Sequence, residues 1–142
     1  LRVRATALKG IHIPEAQVPL AIDEFPALFV AAACAEGETV LTGAEELRVK
    51  ESDRIQVMAD GLQTLGADVV PTPDGIVIRG GTIGGGRVDS HGDHRIAMAF
   101  TMAGLRADGE IVIDNCANVN TSFPGFVDLA AGLGSRVAAR HG

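Results

Sequence analysis

The sequence has few cysteines, no excess of basic residues and no long apolar run, and each shortage excludes a class of protein. Its two cysteines, Cys34 and Cys116, stand far apart without metal-ligand spacing, so we expect reduced thiols in a cytoplasmic protein rather than a disulfide framework. The net charge of −6 argues against a general nucleic-acid binder and against a protein of the membrane surface. We find no secretory signal pattern and no segment with enough consecutive apolar residues to span a bilayer.

What the sequence does contain is enough apolar side chain for a core. Hydrophobic residues make up 46% of the 142 positions and charged residues 21%, which is typical of one folded domain. A local basic site on an acidic chain can still bind a small anion, so we expect a small-molecule partner. Because strand-like alternation already starts at Leu1, without an initiator methionine, we expect the chain to be a piece of a longer polypeptide.

The most unusual stretch is Leu47–Ile55, LRVKESDRI, which packs five charges between two apolar segments. Leu47 and Val49 alternate with charged residues, as at the end of a strand. Ser52 and Asp53 then offer N-cap side chains to an amphipathic helix. The charges are therefore predicted to lie on a strand-to-helix turn.

A turn of this kind has the chemistry of an anion site. The helix N-terminus, Lys50 and Arg54 all favour negative charge, and Glu51 beside them is a candidate proton carrier. A capped, solvent-exposed helix start with surface ion pairs would produce the same charge pattern. The pattern alone leaves both interpretations open.

The other elements follow from periodicity and turn residues. Gly80–Gly86, GGTIGGG, lacks the Lys-Ser/Thr ending of a phosphate-binding loop and is interpreted as a flexible turn. Strands are predicted at Leu1–Ala7, Thr39–Leu41, Asp68–Val70, Ile76–Arg79, Glu110–Ile113 and Arg136–Ala139. The turn Pro71–Gly75 has Pro-Asp-Gly chemistry and predicts that the two strands on either side of it form an antiparallel hairpin. Helices are predicted at Ala27–Ala35, Asp53–Leu65 and His94–Leu105, and from Thr121 to Leu133.

The order of these elements contains an internal repeat. Helix, Gly37-Glu38, strand, loop, helix, Leu65-Gly66 and strand recur as helix, Gly109-Glu110, strand, loop, helix, Leu133-Gly134 and strand. The first copy spans 28 positions between its glycine and its leucine and the second spans 24, so the extra residues belong most simply to the charged loop. A lengthened loop on a repeated scaffold is a usual place for function. The predicted fold class is α/β, built from duplicated units.

Two further polar stretches are candidates for chemistry. Asp23 and Glu24 precede a helix that begins with Pro26; they either cap that helix or, if the fold brings Asp23 to the charged turn, supply a base for a substrate hydroxyl. Val88–Ala97, VDSHGDHRIA, gathers histidines and carboxylates, but their spacing matches no well-defined zinc pattern. Arg95 at the start of a helix that Asp93 caps is better explained by an anion, and we predict no metal site.

Together these motifs carry a family resemblance. LRVKESDRI, DHRIAMAF, the Asp-x-x-Pro at Asp23–Pro26 and the Thr-Ser-Phe-Pro at Thr121–Pro124 resemble the EPSP synthase (3-phosphoshikimate 1-carboxyvinyltransferase) family, in the right order along nearly the whole chain. The resemblance implies the C-terminal part of a longer enzyme of the shikimate pathway. Residues 1–142 would then form about two α/β units of an incomplete domain in the enolpyruvyl transferase fold, an inside-out α/β barrel.

The resemblance also implies a reaction and its residues. Members transfer the enolpyruvyl group of phosphoenolpyruvate to the 5-hydroxyl of shikimate 3-phosphate and release phosphate, without a metal or organic cofactor. The implied catalytic residues are Asp23 at the hydroxyl, Glu51 as proton donor and acceptor at the methylene carbon, and Lys50 at the reacting centre. The missing N-terminal domain would be the partner that completes the cleft, and neither nucleic acid nor membrane is implied. The implied substrate-binding residues are Asp23, Lys50, Arg54, His94 and Arg95.

The sequence departs from the family pattern at two positions, and two other interpretations compete. Thr121 stands where many members have a lysine, and Glu46 stands where some have an asparagine. UDP-N-acetylglucosamine enolpyruvyltransferase shares the reaction type and fold and is the nearest enzyme alternative. A non-catalytic anion-binding module is the other, although a retained scaffold alone needs only its apolar faces and glycines, not this combination of charges.

Overall fold

The computed structural model describes residues 1–141 as a mixed α/β arrangement. Short 3-10 helices lie at Glu15–Gln17, Ile22–Glu24 and Glu45–Val49. The α-helices are α1 Val18–Ala21, α2 Phe25–Ala33, α3 Arg54–Thr64, α4 His94–Ala103, α5 Asn118–Ser122 and α6 Phe126–Gly132. The strands are β1 Glu38–Leu41, β2 Asp68–Thr72, β3 Gly75–Arg79, β4 Gly86–Asp89 and β5 Ile111–Asp114.

The strands form two small sheets. In the first, β3 lies between β1 and β2 and is antiparallel to both, so the predicted hairpin is confirmed. The segment 8–13 runs parallel to β1 on its other side, with hydrogen bonds from Gly10 N to Glu36 O at 2.7 Å and from Val40 N to Ile11 O at 2.9 Å. In the second sheet, β4 and β5 pair in parallel. Each parallel pair is joined by a helical connection, as a parallel pair requires: a series of short helices that ends in α2 for the first pair, and α4 for the second.

These two strand–helix–strand units show the internal repeat in three dimensions. In each unit a glycine in or just before the first parallel segment packs against the backbone of a glutamate at the start of the second. That glutamate directly follows another glycine in the sequence. A Cβ on Gly10 would lie 2.2 Å from Glu38 O, and a Cβ on Gly85 would lie 2.6 Å from Glu110 O. The glycine–glutamate pairs of the sequence therefore mark equivalent places in both units.

The core forms where α2, α3 and α4 pack together, with α2 and α3 against the first sheet and with α3 and α4 against the second. Phe25 and Phe29 of α2 stack with ring centroids 5.9 Å apart. Pro26 suits the first turn of α2, and aspartates cap the other two helices: Asp53 accepts from Gln56 N and Asp93 from Arg95 N, both at 3.0 Å. Fully buried core residues include Phe25, Phe29, Leu41, Leu47, Ile55, Met58, Leu62, Ile78, Ile96 and Phe100.

Several predicted elements differ in the structure. Leu1–Ala7 is exposed and pairs with no strand within residues 1–141. Alternation of apolar and polar residues favours a strand, but a strand forms only where a neighbouring strand can pair with it. Arg136–Ala139 likewise forms no strand. Leu47–Val49 belongs to the 3-10 helix Glu45–Val49 rather than to a strand end, and β4 begins at the end of the predicted flexible turn. The helix predicted from Thr121 is two helices, α5 and α6, separated at Phe123–Gly125.

One helical run, Glu15–Ala33, meets the length and composition of a membrane span within the described part of the chain. This corrects the expectation that no segment does, which overlooked how the short helices join end to end across Pro19 and Asp23. The run carries three carboxylates, Glu15, Asp23 and Glu24, and its residues Phe25 and Phe29 are buried in the core. A buried core helix passes the same test, so the run is weak evidence for a membrane.

The close contact at Gly85 gives a test of the fold. Gly85→Ala should lower the free energy of unfolding by about 1–3 kcal/mol, because the new methyl group meets backbone that cannot rotate away. Gly81→Ala is the matched control, since nothing lies within 4 Å of its Cβ position, and it should be neutral or slightly stabilising. Urea unfolding of both variants measures the difference; equal stabilities would contradict the packing.

Candidate functional site

Three helix starts meet at one end of the two units. The 3-10 helix Ile22–Glu24 leads into α2, the charged turn 50–53 leads into α3, and Asp93 begins α4. The structure joins them by hydrogen bonds that link positions up to 72 residues apart in the chain. The polar stretches singled out in the sequence therefore form one cluster.

Arg54 lies at the centre of this cluster and is only 1% exposed. Its Nε donates to Asp93 Oδ2 at 2.8 Å, its Nη1 to Asp23 Oδ1 at 3.1 Å and its Nη2 to Glu51 Oε2 at 2.6 Å. Burial would lower the pKa of Arg54, but donation to Asp93 and the surrounding carboxylates outweigh it and the pKa is raised. The guanidinium is thus held charged inside the protein by three carboxylates.

Asp93 is the fully buried partner and connects the two units. Besides Arg54, it accepts from Ser52 Oγ at 2.9 Å and from Arg95 N at 3.0 Å. Burial would raise the pKa of Asp93, but the hydrogen bonds from Arg54 and Ser52 lower it below the usual range. Asp93 therefore stays ionised, and it fixes the charged turn of the first unit to the helix of the second.

Asp23 and the two other basic residues complete the cluster. Lys50 Nζ lies 3.4 Å from Asp23 Oδ1 and 2.6 Å from Glu46 Oε1. Arg95 Nη1 donates to the backbone carbonyl of Asp23 at 2.9 Å and to Glu24 Oε1 at 3.1 Å. Burial would raise the pKa of Asp23, but the nearby Lys50 lowers it, and the net shift is downward. The pKa of Lys50 is raised, mainly by its hydrogen bond to Glu46.

The structure thus brings together Asp23, Lys50, Glu51, Arg54 and Arg95. His94, the first residue of α4, is half-buried next to Arg95. Thr121 lies in α5, which packs against α4. Ser52 and Asp93, predicted only as helix caps, also contact each other through the Ser52 hydroxyl. Their contact spans 41 positions, and the only sequence signal for it was the presence of polar residues before both helices.

Exposure decides which contacts of Arg54 an incoming anion can replace. The side chains of Glu51 and Asp23 are 53% and 45% exposed, whereas Asp93 is 0% exposed. A small anion can therefore exchange with Glu51 or Asp23 while Asp93 keeps the guanidinium in place. A groove of about 110 Å³ between α2 and α4 opens beside Asp23 and Arg95 and gives access from that side.

Two other features lie apart from this chemistry. A larger cleft of about 470 Å³ is lined by Cys34 and Arg106, near the opposite ends of α2 and α4. Over residues 1–141, no group of three or more His, Cys, Asp or Glu side chains is arranged to hold a metal ion. The chemistry of the cluster is that of carboxylates and guanidinium groups.

Comparison with known proteins identifies a single family. The profile of the family described as EPSP synthase (3-phosphoshikimate 1-carboxyvinyltransferase) matches residues 1–129. The protein named 3-phosphoshikimate 1-carboxyvinyltransferase from Nitrosococcus oceani is 71% identical over 142 residues, all of this chain and 32% of that protein. The protein of the same name from Methylococcus capsulatus is 73% identical over 134 residues, 94% of this chain and 31% of that protein.

Solved structures agree with the sequence match. EPSP synthase from Acinetobacter baumannii superposes with a TM-score of 0.89 and 64% identity, over 91% of this chain and 31% of that one. The chain therefore spans about a third of the length of the relatives it matches.

The buried Arg54–Asp93 pair gives a prediction for stability and its pH dependence. Asp93→Asn should lower the free energy of unfolding by about 1.5–3 kcal/mol at neutral pH, the contribution of a hydrogen bond to a charged group. Because folding lowers the pKa of Asp93, its stabilisation is complete above about pH 4 and is lost as the pH falls through the folded-state pKa. The variant should therefore lose less stability on acidification than the unmodified protein, in unfolding measured from pH 7 to pH 2.

Asp114→Asn is the matched control for this prediction. Asp114 accepts two hydrogen bonds from Arg87, at 2.6 and 2.8 Å, but the Arg87 side chain is 72% exposed. A solvent-exposed pair contributes little, so the control should change neutral-pH stability much less than Asp93→Asn. Equal losses for both variants would show that burial does not strengthen the Arg54–Asp93 contact.

Proposed function

The chain belongs to the EPSP synthase family and has its α/β fold, and on that premise we propose that it supplies one part of the active site of a 3-phosphoshikimate 1-carboxyvinyltransferase. The complete enzyme would transfer the enolpyruvyl group of phosphoenolpyruvate to the 5-hydroxyl of shikimate 3-phosphate. The rest of the longer protein would be the partner that closes the site. Neither nucleic acid nor membrane belongs to this proposal, which places the enzyme in the cytoplasm.

The observation that carries the proposal is the convergence of Asp23, Lys50, Glu51, Arg54 and Arg95 at three helix starts. Both proposed substrates are anions, and guanidinium groups bind carboxylate or phosphate through paired hydrogen bonds. Helix N-termini add further positive potential at the same place. Carboxyl groups beside the bound anions can then move protons without any metal.

Substrate binding would begin with an exchange of partners at Arg54. The carboxylate of phosphoenolpyruvate takes the place of Glu51 on the guanidinium, while Asp93 continues to hold the other side. Arg95, with His94 beside it, binds the phosphate end of the same substrate, and Lys50 reaches shikimate 3-phosphate. The exchange frees the Glu51 carboxylate, which takes up a proton from solvent and can then donate that proton to carbon.

The chemical steps would then use two carboxyl groups. The 5-hydroxyl oxygen attacks C2 of phosphoenolpyruvate and gives up its proton to Asp23, while Glu51 donates a proton to the methylene carbon, forming a tetrahedral intermediate. In the second step the C–O bond to phosphate breaks, and Asp23 returns its proton to the departing phosphate. Glu51 removes a proton from the new methyl group, which restores the carbon–carbon double bond in the product. Lys50 stabilises the charge that develops at the reacting centre.

Glu51→Gln in the complete protein tests the proton-transfer role. The variant keeps the shape of the side chain and removes its titratable group, so proton exchange at the methylene carbon of phosphoenolpyruvate should slow by about 10²–10⁴-fold. The KM values should change much less, because the variant loses proton transfer and keeps substrate binding. Deuterium incorporation from heavy water, followed by NMR, measures the effect.

Glu45→Gln is the control for this experiment, because Glu45 is an exposed glutamate in the preceding 3-10 helix. Glu45→Gln should leave both proton exchange and turnover unchanged. Exchange and turnover by Glu51→Gln at the rate of the unmodified enzyme would rule out the assigned role.

The 142-residue chain alone should not turn over the two substrates. It spans about a third of its relatives, so its half-exposed carboxylates and basic residues remain hydrated and the reacting atoms are not held in register. Phosphate release should appear only after the separately made remainder of the protein is added. Offering UDP-N-acetylglucosamine instead of shikimate 3-phosphate tests the alternative acceptor and should give no release. Full activity of the chain alone would overturn this division of the site.

A further inference from the structure

We propose that Arg48 is a positioning residue that closes the loop 48–53 and fixes it to the turn of the β2–β3 hairpin. The proposal rests on the proposed function, because this loop carries Lys50 and Glu51. It assigns to Arg48 a role that acts through those residues and not through contact with substrate.

The first contact of Arg48 closes the loop on itself. Its Nη1 donates to Asp53 Oδ2 at 2.7 Å, which joins the two ends of the loop directly. The other oxygen of Asp53 accepts from Gln56 N at 3.0 Å and caps α3. A single ion pair therefore sets both the span of the loop and the start of the helix that carries Arg54.

The second set of contacts fixes the closed loop to the hairpin. Arg48 Nε donates to the carbonyl of Pro73 at 2.8 Å, and Nη2 donates to the carbonyl of Thr72. The chain before the loop is held by the same turn, since Ala44 N donates to Asp74 O at 2.7 Å. The hairpin turn thus serves as the support on which the charged loop rests.

Polar contacts have to hold this loop, because apolar burial does not. Val49 is 79% exposed, and no residue from 48 to 53 is buried. Leu47, fully buried, anchors the chain just before the loop, and Ser52 is fixed by its hydrogen bond to Asp93. Lys50 and Glu51 lie between these points. Their side chains have ion-pair partners of their own, and the backbone that carries them is held by the contacts of Arg48.

The geometry requires an arginine. Three different nitrogens of one planar group reach Asp53 and two backbone carbonyls, and the side chain is 27% exposed. A lysine at this position keeps the charge but has one nitrogen, so it cannot hold all three partners in that arrangement. Arg79, on β3 of the same sheet, differs because it is 60% exposed and, among residues 1–141, forms ion pairs only with Glu38 and Asp68.

The test compares Arg48→Lys with the unmodified complete protein. We expect kcat to fall by about 10–100-fold, since a misplacement of about 1 Å in a catalytic group has effects of that size. The KM for phosphoenolpyruvate should stay within about threefold, because Arg54 and Arg95, which bind it, are unchanged. Amide hydrogen exchange should become faster in residues 49–53 but not in α4, a readout that does not depend on activity.

Two further variants make the result decisive. Arg79→Lys should match the unmodified protein in kcat and in hydrogen exchange. Asp53→Asn keeps the cap oxygen and weakens the ion pair, so combining it with Arg48→Lys should lower kcat no further than the worse single change. Unchanged kcat in Arg48→Lys overturns the positioning role, and unchanged exchange at 49–53 overturns the closed loop. An unmodified protein without transferase activity would overturn the proposed function instead, and hydrogen exchange would still decide whether Arg48 holds the loop.

Discussion

The ion pair between Arg54 and Asp93 is the interaction on which the arrangement of this end of the molecule depends. Removing both charged groups from water is costly, and the structure compensates with hydrogen bonds from Ser52, from the backbone of Arg95 and to two more carboxylates. Arg54 is the first residue of α3, and Asp93 is the cap of α4. Their pairing therefore fixes the starts of two helices from different units beside each other.

Bringing helix starts together concentrates positive electrostatic potential, and the protein's own carboxylates balance it. Asp23, Glu51, Asp53 and Asp93 lie within or beside the first turns of α2, α3 and α4. In the absence of an anionic ligand they neutralise the helix ends and the basic side chains. Under the proposed function, the exposed members of this set exchange with substrate anions and become proton carriers, whereas the buried Asp93 keeps the cluster assembled.

Local rules predicted much of this fold and part of the site. The capping aspartates, the hairpin at Pro71–Gly75 and the repeated Gly-Glu steps depend on neighbouring residues, and all of them were readable in the sequence. The partner of Arg54 across 39 positions was not, because several carboxylates have suitable chemistry and only the fold selects one. Leu1–Ala7 shows the same limit for strands. Alternation of apolar and polar residues predicts a strand, but it does not show whether a neighbouring strand is present to pair with it.

The repeat explains why the charged residues lie on one copy but need the other. After β1, the first unit carries the longer loop, supported by a hairpin, and this loop bears Lys50 and Glu51. After β5, the second unit has a shorter connection to α5, and its ion pair Arg87–Asp114 stays at the surface. The second unit contributes instead through the start of α4, where Asp93 and Arg95 reach back to Arg54 and Asp23. Since neither unit holds both a buried guanidinium and its buried carboxylate, the cluster can form only when the two units pack against each other.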